Sequence, residues 1–295
     1  MLTGYLAAFV YLLCLTAGIF LFAFAARRTA ATTITFLEVV LGLAFITLLL
    51  LFQQNLRIAE LFAKPTAKNW TYLGLAAVSG FAGGNYFSLK NLRWGSETLN
   101  GLLSPAITAA VVLFSLLFDS TSISLPQAAG IVLTLGTVVG FLVFNKGKHI
   151  AVVNHRKALW SGIATIICIT ANIVFSIKGA ISGSISIFYA LWLRLLLALP
   201  FVCGLLLFEK NKSLTLASNI WLVLLSAVFL QTIAGNYLWF VASFKIGIPV
   251  FQTLIATLPL LIYAVDGLVL KKASFSLSFL SAAVLALAGV LLLML

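Results

Sequence analysis

The sequence predicts an all-α membrane protein of ten transmembrane helices, built as two inverted five-helix repeats over 1–148 and 156–295. Three observations predict it. The 295 residues are 63% hydrophobic and only 8% charged, against about 25% charge in ordinary soluble domains. Apolar runs of about 18 residues or more recur along the whole chain, long enough to cross roughly 30 Å of hydrocarbon as helices. The chain also repeats itself. Trp70, Gly84, Asn85, Tyr86, Arg93, Gly95, Asn100, Pro105 and Gly136 reappear as Trp221, Gly235, Asn236, Tyr237, Lys245, Gly247, Gln252, Pro259 and Gly289.

The first run, 2–26, has neither the basic n-region nor the small-residue cleavage site of a signal peptide, so it reads as a retained helix. Further runs cover 32–52, 70–89, 96–118, 126–144, 158–177, 185–208, 219–242, 248–270 and 274–294. They are continuous rather than alternating, which excludes a membrane β-barrel. The repeat reaches the early helices of each half. Cys14-Leu15-Thr16-Ala17 matches Cys168-Ile169-Thr170-Ala171, and Leu49-Leu50-Leu51-Phe52 matches Leu205-Leu206-Leu207-Phe208. The longest connections are 53–69 and 145–157, the second joining the halves, so no extramembrane domain fits. Five helices per half is an odd number. If all ten runs cross, the second copy enters the membrane upside down relative to the first.

The net charge of +12 does not mark a nucleic-acid binder. Most Lys and Arg residues stand singly or in pairs between apolar runs, where membrane helices usually carry them. Of the 18, 12 fall in the odd-numbered loops and 5 in the even-numbered ones. By the positive-inside rule that places both termini outside. Cys14, Cys168 and Cys203 are widely spaced in apolar runs and suggest neither a disulfide frame nor a metal site. His149 and His155 share one loop and have no cysteine nearby. Nucleotide-binding loops, zinc-protease motifs and nucleophile elbows are missing, so the chain is expected to be no enzyme, no pump by itself, and to need no cofactor.

A charge near the bilayer centre costs at least about 2.5–3.5 kcal/mol and needs a reason. Glu38 lies in the second run, and Arg194 lies at the matching place in the seventh. Either they face a central cavity, where they pair with each other or hold a charged substrate, or each snorkels to a headgroup. Asp266, six residues before Lys271 and Lys272, reads as interfacial. Asn85-Tyr86 and Asn236-Tyr237 either line a polar cavity or join helix to helix across Gly80, Gly83 and Gly84.

Pro105 and Pro259 interrupt the helical hydrogen-bond ladder just after Asn100 and Gln252. Each is either a hinge that frees backbone carbonyls as ligands, or a kink relieved by a neighbouring Ser or Thr. Among the aromatic residues, Trp192, two positions before Arg194, and Trp239, mid-helix, are the best candidates to stack on a ligand.

With its paired five-helix halves, Pro105 midway in the fourth helix, Asp119 in the loop that follows and Gly130 and Gly136 in the fifth, the chain resembles EamA-type proteins of the drug/metabolite transporter superfamily. In that family each half usually carries an Arg in its second helix and an acid after its fourth. Here Arg194 and Asp119 keep the pattern, while Glu38 and Lys272 depart from it. The resemblance implies a cavity lined by helices 1–4 and 6–9, with helices 5 and 10 peripheral. It implies both termini in the cytoplasm, opposite to the charge count, and a place in the bacterial inner (plasma) membrane.

The expected function is then secondary transport by alternating access, most simply export of a small polar metabolite such as an amino acid. Nucleotide sugars and drug-like cations are alternative substrates, and a non-transporting membrane scaffold or subunit is the alternative from another class. The expected partners are the substrate, a coupling proton, the lipid bilayer and a second copy of the chain.

Overall fold

The computed structural model describes residues 2–54, 65–95, 97–101, 103–118, 123–144, 154–181, 185–208, 218–269, 271 and 277–294. Among these residues the chain is helical, with no strand. The first half contains α1 (Leu2–Ala26), α2 (Ala31–Gln54) and α3 (Ala67–Ala77), then a π-helical segment, π1 (Val78–Asn85), that runs into α4 (Tyr86–Trp94). It continues with α5 (Glu97–Gly101), α6 (Leu103–Phe118) and α7 (Leu125–Phe144). The second half contains α8 (His155–Ile181), α9 (Ile187–Phe208), α10 (Ser218–Ala227), a second π-helical segment π2 (Val228–Gly235), α11 (Asn236–Ile246), α12 (Ile248–Ile255), α13 (Leu258–Leu268) and α14 (Leu277–Leu293). The expected features at Asp119, Lys272 and His149 lie outside the described residues.

Among the described residues six helical stretches are long and apolar enough to cross a bilayer: Leu2–Ala26, Ala31–Phe52, His155–Ala180, Ile187–Phe208, Ile220–Ile246 and Ile248–Leu268. The chain is therefore an all-α protein of multi-pass membrane type. The helix that runs from α3 through π1 to α4 is long but is not among the six. Its composition explains this, because it spends Gly74, Gly80, Gly83, Gly84, Asn85 and Tyr86 where its neighbours spend Leu and Ile. Apolar side chains such as Phe9, Leu75, Val132, Leu222 and Leu287 lie exposed on the outside of the bundle, as lipid-facing helices require.

Helix ends follow local chemistry. Thr66 Oγ1 accepts from the Asn69 backbone N–H while Asn69 Oδ1 accepts from the Thr66 backbone N–H, a reciprocal cap that starts α3. The Asn69 amide also donates to the Gly179 carbonyl across 2.7 Å, tying α3 to α8. Between α11 and α12 the backbone of Gly247 takes φ 81° and ψ 152°, a region open essentially to glycine alone.

The helices pair across the halves. α2 lies along α9, α6 along α12 and α7 along α14, while α1 rests on α10, π2 and α11 and α8 rests on α3, π1 and α4. The central core between α2 and α9 is filled by Ile46, Leu50, Leu191, Leu195 and Ala198, all fully buried. α7 and α14 approach through small residues, since a Cβ added at Gly130 would meet the Gly289 carbonyl oxygen at 2.7 Å.

Candidate functional site

Where α1, π1, α8 and π2 meet α2 and α9, they leave a cavity of about 170 Å³. Both intramembrane charges reach it, Glu38 from α2 and Arg194 from α9. Each is 2% exposed. They form no ion pair with each other; among the described residues the ion pair is Arg27–Glu97, at 2.7 Å. Glu38 and Arg194 are each held by polar groups instead.

Glu38 Oε1 accepts from Asn85 Nδ2 at 2.8 Å and from Thr232 Oγ1 at 2.7 Å. Arg194 donates through Nη2 to Asn172 Oδ1 at 2.9 Å and through Nη1 to Asn236 Oδ1 at 3.4 Å. Its guanidinium also lies over the rings of Phe81 and Phe240, at 5.1 and 5.8 Å. Asn236 Nδ2 donates in turn to the Thr232 carbonyl at 2.9 Å. Thr232 and Asn236 thus link the acid to the base without bringing them into contact. A buried charge without partners would be far more costly than one so held.

The two halves contribute in parallel. The Glu38–Asn85 bond and the Arg194–Asn236 bond occupy matched sequence positions, with the charge reversed. Thr232 on Glu38 is matched by Phe81 on Arg194, so a hydroxyl serves the carboxylate where an aromatic face serves the guanidinium. A second pairing is reciprocal. Gly80 lies against Asn172, and Gly18 lies against Gln231; a Cβ at either glycine would meet the amide oxygen at 2.5 Å. Gly80 matches Gln231 in the repeat, and Gly18 matches Asn172. The small and the large partner have therefore changed places between the halves.

Both π segments end at the Gly-Asn step, and such widened turns recur at functional sites. In the second, Asn236 Nδ2 covers the carbonyls of Thr232 and, at 3.3 Å, Gln231. In the first, Gly80, Gly83 and Gly84 let α8 come so close that side chains there would strike Asn172, Cys168 and Ile169.

Asn85, Asn100, Asn236, Trp239 and Gln252 also line the cavity. Asn100 Nδ2 donates to Ser88 Oγ at 2.8 Å. Tyr86, Tyr237 and Trp192 do not line it. Tyr86 carries Lys90 Nζ over its ring at 4.2 Å. Tyr237 is 36% exposed and stacks on Phe188 at 4.8 Å. One residue beyond each cavity-lining Asn, a helix turns its side chain about 100° away. Trp192 is buried between α9 and α2, where its Nε1 donates to Thr47 Oγ1 at 3.1 Å.

Pro105 lies in the first turn of α6, and Pro259 in the first turn of α13. The Leu254 carbonyl near the second proline takes Thr257 Oγ1 at 2.7 Å and the Thr257 backbone N–H at 3.1 Å. The Gln252 carbonyl takes Thr108 Oγ1 at 2.8 Å and the Ala256 N–H at 3.0 Å. Neighbouring threonines therefore occupy these carbonyls.

Tyr11, Ser88, Asn172, Gln231 and Thr232 take part in the site although no sequence motif pointed to them directly. Asn172 and Gln231 had one usable signal, an amide facing a glycine at the matched position. Three polar atoms of the lining residues are buried without a hydrogen-bond partner among the described residues: Arg194 Nε, Gln231 Oε1 and Gln252 Nε2. The arrangement offers fixed charges of both signs and unused donors and acceptors in one membrane-buried pocket.

No family model and no curated protein sequence matches the chain. Its fold is similar to that of another protein solved by crystallography, with a TM-score of 0.74 and 18% sequence identity, over 98% of this chain and 95% of that one. At that identity the likeness concerns the fold alone.

Proposed function

We propose that this chain is a secondary transporter of the EamA type in the drug/metabolite transporter superfamily, with ten spans forming two inverted five-helix repeats. On this reading it carries a small polar or zwitterionic metabolite, such as an amino acid, by alternating access. The observation that carries the reading is a shared cavity in which Glu38 and Arg194 are both buried yet unpaired with each other. A structural role for these charges would be met most simply by pairing them. Holding them apart leaves an anionic and a cationic contact for one ligand.

The cross-half pairing of helices supports the inverted repeat. α1 on the second half's π segment mirrors α8 on the first half's, and Glu38–Asn85 mirrors Arg194–Asn236. In this mechanism Arg194 holds the substrate's anionic group, and Asn172 and Asn236 keep the guanidinium oriented. Glu38 faces the amino group or takes part in energy coupling. The two bundles rock about the site, consistent with binding sites near the bilayer midplane between repeats.

The test is thermal unfolding of the purified protein against a panel of amino acids, nucleotide sugars and organic cations, followed by counterflow uptake of any hit in proteoliposomes. A ligand that binds the folded state raises its melting point by mass action. Stabilisation by one substrate class, with saturable counterflow lost in Arg194→Gln, is the expected result. Absence of both binding and counterflow across the panel would favour the scaffold reading.

A further inference from the structure

Beside the main cavity lies a smaller one of about 20 Å³, and Glu38, Asn85, Ser88 and Gln231 line both. Its other walls are apolar: Ile19, Phe22, Leu89 and Leu92. A space of that size holds one water-sized occupant. Glu38 directs Oε1 to both of its hydrogen bonds, which leaves Oε2 without a hydrogen-bond partner among the described residues. Asn85 uses Nδ2 on Glu38 and keeps Oδ1. Ser88 Oγ accepts from Asn100 and retains a lone pair. Gln231 Oε1 is buried and has no hydrogen-bond partner among the described residues.

We propose that Glu38, Asn85, Ser88 and Gln231 form a binding site for a hard monovalent cation, fitted to Na+. Carboxylate, amide and hydroxyl oxygens are the ligands hard cations take. One carboxylate supplies one negative charge, which suits a monovalent ion. Among the described residues no group of three His, Cys, Asp or Glu exists to hold a divalent or transition metal. A proton needs a single oxygen; four oxygen-bearing side chains around one small space suit an ion that must replace several waters.

The matched positions in the other half sharpen the assignment. Glu38, Asn85, Ser88 and Gln231 correspond to Arg194, Asn236, Trp239 and Gly80. There the charge is a built-in cation, the hydroxyl is an indole and the second amide is absent. One half carries its own cation, and the other carries the oxygens to receive one.

The geometry stands by itself, while a coupling role for the ion rests on the transport reading. The experiment is binding of radioactive Na+ to the purified full chain in lipid nanodiscs, with choline replacing Na+ at constant ionic strength. Saturable binding of one ion per chain is expected, lost in Glu38→Gln. Gln231→Met keeps the side chain's length without its oxygen and should weaken binding about tenfold, a loss of 1.4 kcal/mol. Ser88→Ala should weaken it too, and a cooperative melting transition retained in choline, lowered only by the lost Asn100 hydrogen bond, separates ligand loss from misfolding. Absence of saturable binding, or binding that survives Glu38→Gln, overturns the site. Counterflow that persists without Na+ binding sinks the cation site and leaves transport standing; Na+ binding without any solute flux does the reverse.

Discussion

Thr232 donates to Glu38 across 2.7 Å, joining residues 194 positions apart in sequence and in opposite halves of the chain. The same residue's carbonyl accepts from Asn236, which accepts from Arg194. Thr232 is therefore the step through which acid and base are linked while staying apart. Thr232→Val removes the hydroxyl and preserves shape. Interhelical hydrogen bonds in bilayers contribute about 0.6–1.7 kcal/mol, so the variant should lose about that much in reversible unfolding. A neutral Thr232→Val, measured as the unfolding free energy in mixed micelles, would show that Glu38 does not depend on the second half.

Two glycines should respond in opposite ways. At Gly80 a new Cβ first meets the end of the Asn172 side chain, which can swing away. Gly80→Ala should then pull Asn172 from Arg194, lose about 0.6–1.7 kcal/mol with that hydrogen bond, still fold, and cut transport sharply. At Gly289 the new Cβ would strike the Thr134 Oγ1 and then fixed backbone, the Thr134 nitrogen at 3.0 Å and the Gly130 carbonyl oxygen at 3.1 Å. Gly289→Ala should cost about 1–3 kcal/mol, as overpacking does, and leave the surviving protein's substrate affinity unchanged. Melting temperature and counterflow, measured on both variants, separate the two effects. Equal transport loss at equal stability loss would contradict the assignment.

Arg194 should not be replaceable by Lys. Its fork reaches Asn172 and Asn236 together, and its flat face lies over Phe81. A lysine keeps the charge but loses the planar fork and stacking. Arg194→Lys is expected to weaken substrate affinity by about tenfold or more, equivalent to at least 1.4 kcal/mol, while folding is retained. Isothermal binding or substrate-dependent melting checks this, and wild-type affinity in the Lys variant would mean the charge alone suffices.

Much of the helical plan was readable, because an apolar run long enough to cross lipid has few other conformations that satisfy its backbone. The duplication also singled out Asn85 with Asn236 and Glu38 with Arg194, since each stands at a matched position and is costly in lipid. Tyr86 and Tyr237 were paired by the same rule but face elsewhere, because the repeat preserves helix register without saying which side of the helix meets the cavity. Trp192 was misplaced by nearness in sequence, since two residues along a helix is about 200° around it. The π segments leave no composition of their own, so the register that aims Thr232 at Glu38 could not be foreseen. Asn172 and Gln231 were hidden for a different reason: each is matched by a glycine, so neither looked duplicated.

The proposed transport requires a polar cavity between the halves that opens to each face of the membrane in turn. Its most direct measurement is side-specific labelling of single cysteines at 85 and 236, in protein lacking Cys14, Cys168 and Cys203, reconstituted in oriented vesicles. Each site should react with a membrane-impermeant thiol reagent added from either side, and bound substrate should slow both reactions. Cysteines that stay unreactive from both sides, or that react from one side only under all conditions, would contradict it.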